Sequence, residues 1–100
     1  MDSELPIPLP KARIEDYCRR KGIRKLSLFG SVLRNDFGPQ SDVDVMAEFE
    51  PGVQYGWEYF SLGDELEEIW GRKVDFHTPQ DFRPSRRNEI LAHTRKVYER

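Results

Sequence analysis

The sequence predicts an α/β (α+β) fold, in which a small mixed β-sheet carries its helices on one face. Residues 43–49 alternate between apolar and mostly acidic side chains, as a strand with one buried and one open face does. Residues 11–22 and 55–71 carry apolar side chains at helical spacing, and each stretch ends on a glycine. The order helix, strand, strand, helix, strand, helix, strand therefore predicts helices packed on a mixed sheet whose other face is free for chemistry.

The first half of the chain predicts one helix and two strands. Ile14, Tyr17 and Cys18 lie at i, i+3 and i+4, which is typical of an amphipathic helix with these three residues inward. The short apolar segment 23–30 follows as the first strand, and 43–49 is the second. Cys18 is the only cysteine, which excludes an intrachain disulfide and predicts a buried apolar role for it.

The second half predicts a helix, a strand, a short helix and a small final strand. Their predicted ranges are 55–70, 72–78, 84–93 and 96–98. The aromatic run at 55–60 is expected to lie in the core, and the alternative is that one of its rings stacks on a base or contacts a partner.

The domain organisation follows from length and composition. We expect an extended, proline-rich N-terminal arm over 1–10 and a single domain over 11–100, since 100 residues suffice for one core. No apolar run approaches the roughly 20 residues of a membrane helix, and the start lacks the pattern of a secretory leader. A cytoplasmic protein without membrane contact is therefore predicted.

Charge is distributed unevenly along the chain. Residues 11–25 hold seven Lys or Arg, whereas residues 35–71 hold ten Asp or Glu and no basic residue. An acidic centre repels polyanions, so the charge pattern argues against binding to bare nucleic acid. The same acidic centre suits a site for divalent cations.

Two aspartates and a Gly-Ser pair suggest the chemistry. Asp42 and Asp44 are two residues apart on one strand, so both point away from the core and repel each other unless a cation lies between them. Asp75 has the same relation to its apolar neighbours and joins them if the strands are adjacent. Three carboxylates of this kind can hold two metal ions about 3.5–4 Å apart for phosphoryl or nucleotidyl transfer. Gly30 and Ser31, at the end of the first strand, offer a seat for phosphate.

Each piece alone has an ordinary structural explanation. A Gly-Ser pair is usually a turn, and a lone D-x-D pattern usually ends a strand. Arg34 pairs with a carboxylate as readily as with a phosphate, Asp36 suits a turn, and His77 suits a surface. The conjunction of these residues in a fixed order favours the functional interpretation.

That conjunction resembles the minimal nucleotidyltransferases of the DNA polymerase β-like superfamily. Gly30-Ser31 is followed after ten residues by Asp42-x-Asp44, and the likeness extends to Asp75 and nearly the whole chain beyond residue 10. The further matching positions are Arg34, Asp36, Ser41 and Phe49.

The resemblance implies a fold, a reaction and a partner. It implies that Asp42, Asp44 and Asp75 hold Mg²⁺, and that Asp75 completes the metal site or accepts the proton of the attacking hydroxyl. It further implies in-line attack on the α-phosphorus of ATP with release of pyrophosphate. Small stand-alone members of this family are typically antitoxins that transfer AMP onto a tyrosine of a HEPN-type ribonuclease toxin, so the resemblance implies such a partner here. The implied nucleotide-binding residues are Gly30, Ser31, Arg34 and Ser41.

Three alternatives stay open at this point. The chain could neutralise a partner by contact alone, or it could transfer nucleotides to a small molecule, although such enzymes generally carry an added acceptor domain. A ribonuclease is suggested by Arg87 and His93, whose spacing resembles the catalytic pattern of HEPN nucleases. Those nucleases are all-helical, and the strand pattern here argues against that class.

Overall fold

The computed structural model describes residues 5–34 and 37–100. Asp36, one of the positions of the resemblance, lies outside the described residues. The elements run in the predicted order: α1 (Lys11–Lys21), β1 (Ile23–Phe29), β2 (Val43–Phe49), α2 (Leu62–Trp70), β3 (Val74–His77), α3 (Pro84–Leu91) and β4 (Arg95–Glu99).

The four strands form one mixed sheet in the order β3-β2-β1-β4. β1 runs antiparallel to both β2 and β4, whereas β2 and β3 are parallel. Parallel neighbours need a long crossover, and the segment containing α2 supplies it. The predicted fold class is therefore confirmed.

The main core lies between the sheet and the helices α1 and α2. The Tyr17 hydroxyl ties the two helices together by donating to the backbone oxygen of Leu62 at 3.1 Å and to Glu65 Oε1 at 2.9 Å. The core residues of the two helices and of strands β1, β2 and β3 include Ile14, Tyr17, Cys18, Leu26, Leu28, Val43, Val45, Ala47, Leu62, Leu66, Trp70 and Val74. Alternation along each strand directs the remaining side chains to the other face, where the site forms.

One predicted segment, the second helix, differs in detail from the structure. Helix α2 begins at Leu62, and the preceding segment Trp57–Ser61 is a 3-10 helix, in which the Ser61 hydroxyl donates to the Glu58 carbonyl at 2.9 Å. Such a side-chain bond to the backbone competes with α-helical pairing. In the N-terminal arm, residues 5–10 contain no helix or strand, and Ile7 is buried against the core.

None of the helices in the described part of the chain has the length and apolar character that crossing a bilayer requires.

Candidate active site

Two carboxylates meet where β2 and β3 run side by side. In the parallel register Asp44 lies directly beside Asp75, and in the antiparallel register Phe29 lies on the other side of Asp44. The three residues thus form one row across the sheet on the face opposite the main core. The Asp75 side chain is 58% exposed, so the row is open to solvent.

The surroundings of the Asp44 carboxylate disfavour its charged form. Burial raises the pKa of the Asp44 carboxyl above its usual value, and the negative charges of Asp75 and Asp42 raise that pKa further. His77 and Arg34 act in the opposite direction, but the net shift is upward. Holding Asp44 ionised here costs free energy that a bound cation would remove.

His77 lies next to the two carboxylates, although the sequence pattern predicts only a surface position for it. Asp44, Asp75 and His77 each offer a ligand atom, and these atoms all lie within 4.8 Å of one another. The His77 ring packs between Phe29, at 5.6 Å between centroids, and Phe82, at 5.3 Å. The available signal was its position two residues after Asp75 on the same strand, the same spacing that linked Asp42 to Asp44.

Gly30 makes the close approach that the site requires. Its φ is +78°, a conformation that side chains rarely adopt, and a Cβ at this position would overlap a carboxylate oxygen of Asp44. Gly30 and Ser31 begin a short 3-10 helix, Gly30–Leu33, directly after β1. The backbone next to Ser31 therefore lies against the Asp44 carboxylate, as a shared phosphate and metal site needs.

Asp42 and Ser41 occupy the approach to β2. Asp42 lies just before the strand and acts on Asp44 through its charge, but it is not part of the group within 4.8 Å among the described residues. Ser41 shapes the preceding turn, since its hydroxyl accepts the Gly38 N–H at 3.0 Å. Arg72 holds the same turn by donating to the carbonyls of Gly38 at 2.7 Å and Ser41 at 3.1 Å.

A cleft of about 850 Å³ opens beside Asp44. Gly30, Ser31 and Arg34, three of the four predicted nucleotide-binding residues, line it together with Asp44. Its volume lies within the range of roughly 300–1,000 Å³ usual for small-molecule sites. Ser41 is not among the residues that line it.

The donor set of the row fits a hard divalent cation. The Asp44 and Asp75 carboxylates supply the oxygen ligands that Mg²⁺ prefers. The pKa of Asp44 is raised first by its burial and then by the negative charge of Asp75 beside it. The His77 imidazole offers a nitrogen atom at the same place, a ligand type that transition metals prefer, so the match to Mg²⁺ depends on the two carboxylates.

Two aromatic residues of the run at 55–60 are on the surface, so the expectation that this run lies in the core was wrong for them. The side chains of Trp57 and Phe60 are 89% and 75% exposed. Tyr55 and Tyr59 pack against the core as expected, and the Tyr59 ring contacts both Phe60 and Phe76 at 5.7 Å between centroids.

The structure opposes the ribonuclease alternative. The Arg87 guanidinium donates to the carbonyls of Pro79 at 2.8 Å and Phe82 at 3.0 Å, so it braces the turn before α3. His93 instead lines the cleft beside Asp44. The mixed sheet also differs from the all-helical bundle that this alternative would need.

Comparison with known families identifies the domain. The family model of the nucleotidyltransferase domain matches residues 11–97. The chain belongs to this family. The resemblance to minimal nucleotidyltransferases is thereby confirmed, and the chain is a nucleotidyltransferase by family.

Relatives and solved structures agree with this assignment. A Methanocaldococcus jannaschii protein named "Putative protein adenylyltransferase" is 33% identical over 81 residues, which cover 81% of this chain and 86% of that protein. A structure described as a "putative minimal nucleotidyltransferase" is 30% identical with a TM-score of 0.67, over 83% of this chain and 87% of that one. A toxin-antitoxin structure with AMP-PNP shares the fold, with 15% identity and a TM-score of 0.72 over 92% of this chain and 75% of that one.

Proposed function

We propose that this chain is a Mg²⁺-dependent antitoxin that transfers AMP from ATP onto a tyrosine of a HEPN-type ribonuclease toxin. The observation that carries the proposal is the row in which Asp44 lies beside Asp75 and against the backbone of Gly30. In this proposal the two carboxylates would ligate the metal and the Gly30 backbone would seat a phosphate next to it, as nucleotidyl transfer requires. The M. jannaschii relative, named as a protein adenylyltransferase, supports a protein acceptor.

Each residue of the site has a role in this proposal. Asp44 and Asp75, with Asp42 at the approach, would hold the Mg²⁺, which supplies positive charge to the triphosphate and to the developing negative charge. Gly30 lets the backbone come close to the phosphates, and Ser31 donates its hydroxyl to a phosphate oxygen. Arg34, on the wall of the cleft, pairs with the same anion.

The reaction is a displacement at the α-phosphorus. The acceptor hydroxyl oxygen forms a bond to the α-phosphorus while the bond to the pyrophosphate oxygen breaks, and the hydroxyl proton passes to Asp75. Asp75 suits this role because its carboxylate is largely exposed beside Asp44, where an acceptor side chain can reach it.

A toxin partner is supported by the shared fold of the toxin-antitoxin structure with AMP-PNP. The open side of the row at Asp75 leaves room for an acceptor held by another protein. The expected cytoplasmic location and the arrangement of an arm over 1–10 with one domain over 11–100 stay part of this proposal.

The test is to incubate the protein with labelled ATP, Mg²⁺ and the product of the neighbouring gene. Mass spectrometry should find one or more AMP groups on a tyrosine of that product. The double variant Asp42→Asn/Asp44→Asn should lose transfer, whereas Asp64→Asn, an exposed aspartate on α2, should transfer as the parent protein does.

Two results would change the conclusion. Transfer that survives in the double variant would show that these carboxylates are not the site. Neutralisation of the toxin by the double variant without transfer would favour the non-catalytic binding module instead. Far-UV circular dichroism of each variant keeps loss of folding apart from loss of chemistry.

A further inference from the structure

The cleft beside Asp44 has a second wall, which no motif of the resemblance includes. This wall is made by α3, the segment after it and the first residue of β4. Its lining residues are Arg86, Glu89, Ile90, His93, Thr94 and Arg95. Ile90 is buried and anchors this wall, so the polar side chains around it are presented from a fixed helix.

The second wall carries the excess of positive charge. Its Arg86 and Arg95 outnumber Glu89, whereas Asp44 and Arg34 offset each other on the first wall. A triphosphate bound near Asp44 is itself an anion, so it is repelled by the carboxylate and attracted by this second wall. A cleft with this polarity orients a polyphosphate between its two walls.

We infer that Arg86 and His93 bind the polyphosphate of the nucleoside triphosphate from the side opposite Gly30 and Ser31. The inference rests on the proposed function and assigns two nucleotide-binding residues that the sequence motif lacks. Both residues line the same cleft as Gly30, Ser31 and Asp44.

Arg86 can be redirected to a phosphate at little cost. Its guanidinium now pairs with Glu89 at 3.2 Å, and the two side chains are 61% and 67% exposed. An exposed pair of this kind contributes little to stability, because water screens it and both side chains lose freedom. A phosphate offers the guanidinium two parallel hydrogen bonds, which are stronger.

His93 complements Arg86 from the end of α3. Its backbone N–H donates to the Ile90 carbonyl at 2.9 Å, which fixes the chain position, while its side chain is exposed to the cleft. An imidazole N–H there can donate to a phosphate oxygen, and the imidazole carries no negative charge that would repel the phosphate.

The test measures binding without catalysis. Isothermal titration with a non-hydrolysable ATP analogue and Mg²⁺ should show about tenfold weaker binding for Arg86→Ala and for His93→Ala, equivalent to about 1.4 kcal/mol each. Arg83→Ala removes the same charge from the exposed start of α3, outside the cleft, and should bind as the parent does. Glu89→Gln removes the competing carboxylate and should bind more tightly.

Inorganic tripolyphosphate distinguishes the part of the nucleotide that is contacted. Arg86→Ala and His93→Ala should each bind tripolyphosphate more weakly than the parent does, by the same factor as they bind the ATP analogue more weakly. Unchanged tripolyphosphate binding, or equal losses in Arg83→Ala, would overturn the inference, as would unchanged binding of the analogue. If the parent protein binds no analogue at all, the proposed function itself fails, which is a separate outcome from equal binding by parent and variants.

Discussion

Gly30→Ala tests whether the close contact with Asp44 at the end of β1 is the reason that position 30 must be a glycine. Two costs are expected from the structure. A residue with a side chain at φ +78° costs about 1–2 kcal/mol. The new Cβ also overlaps the Asp44 carboxylate, and overpacking of this kind costs typically about 1–3 kcal/mol.

Gly52→Ala is the matched control that measures the backbone cost of a positive φ without a steric overlap. Gly52 has a φ of +87°, and nothing lies within 4 Å of the position its Cβ would take. We therefore expect Gly52→Ala to lower the free energy of unfolding by about 1–2 kcal/mol. Gly30→Ala should lower it by at least about 1 kcal/mol more. For a domain of this size each kcal/mol lowers the melting temperature by about 4–8 °C.

The assay is thermal and urea unfolding followed by circular dichroism, without added metal. The double variant Gly30→Ala/Asp44→Ala separates the contact from the backbone, since the carboxylate that collides is then absent. The double variant should be less stable than Asp44→Ala only by the amount of free energy of unfolding that Gly52→Ala loses relative to the parent protein. Equal losses for Gly30→Ala and Gly52→Ala in the parent background would refute the reasoning.

Three further predictions concern a carboxylate, a thiol and a surface. Asp44→Asn should raise the melting temperature at pH 7 without metal, because the pKa of Asp44 is raised in the folded protein and stability therefore falls as the pH rises from 3.8 through that pKa. The gain should be modest, since the group is partly exposed, and should disappear below pH 3.8. Cys18 is buried with a pKa raised to about 12, so iodoacetamide at pH 8 should label it only in unfolded molecules. Trp57→Ser with Phe60→Ser should weaken a complex with the proposed toxin about tenfold or more, because exposed aromatic residues often dominate interfaces.

Each of these has a result that would count against it. For Asp44, an unchanged or lower melting temperature at pH 7 would mean that the carboxylate is compensated in the metal-free protein. For Cys18, the labelled fraction should follow the urea unfolding curve, and labelling in native buffer would contradict its burial. For the aromatic pair, binding of the ATP analogue should stay unchanged, and Leu91→Ser, another exposed apolar residue, should not affect the complex.

The local elements could be predicted from the sequence because their signals are local. Alternation over 43–49 corresponds to β2, and the glycine stops correspond to Gly22 after α1 and Gly71 after α2, both with positive φ. The start of α2 was placed several residues too early, since helical spacing at 55–61 does not distinguish an α-helix from a 3-10 helix. The bounds of β3 and α3 differ from the predicted ones by only one or two residues.

The pairing of Asp44 with Asp75 is a tertiary fact. From the sequence, Asp75 could join the site only on the condition that its strand lay next to that of Asp44. The crossover through α2 makes β2 and β3 parallel neighbours, and the register places the two carboxylates side by side. The contact of Gly30 with Asp44 likewise depends on how β1 and β2 align.

The sequence alone thus determined which side chains share a face of a strand, because neighbouring residues alternate by the geometry of the backbone. Which strands are adjacent, and in what register, follows from the tertiary structure. The tertiary structure also places His77 with the carboxylates, α3 beside the cleft, and Trp57 outside the core. The physical reason is that strand pairing and burial depend on contacts between residues far apart in the chain, and the pattern within one segment does not contain them.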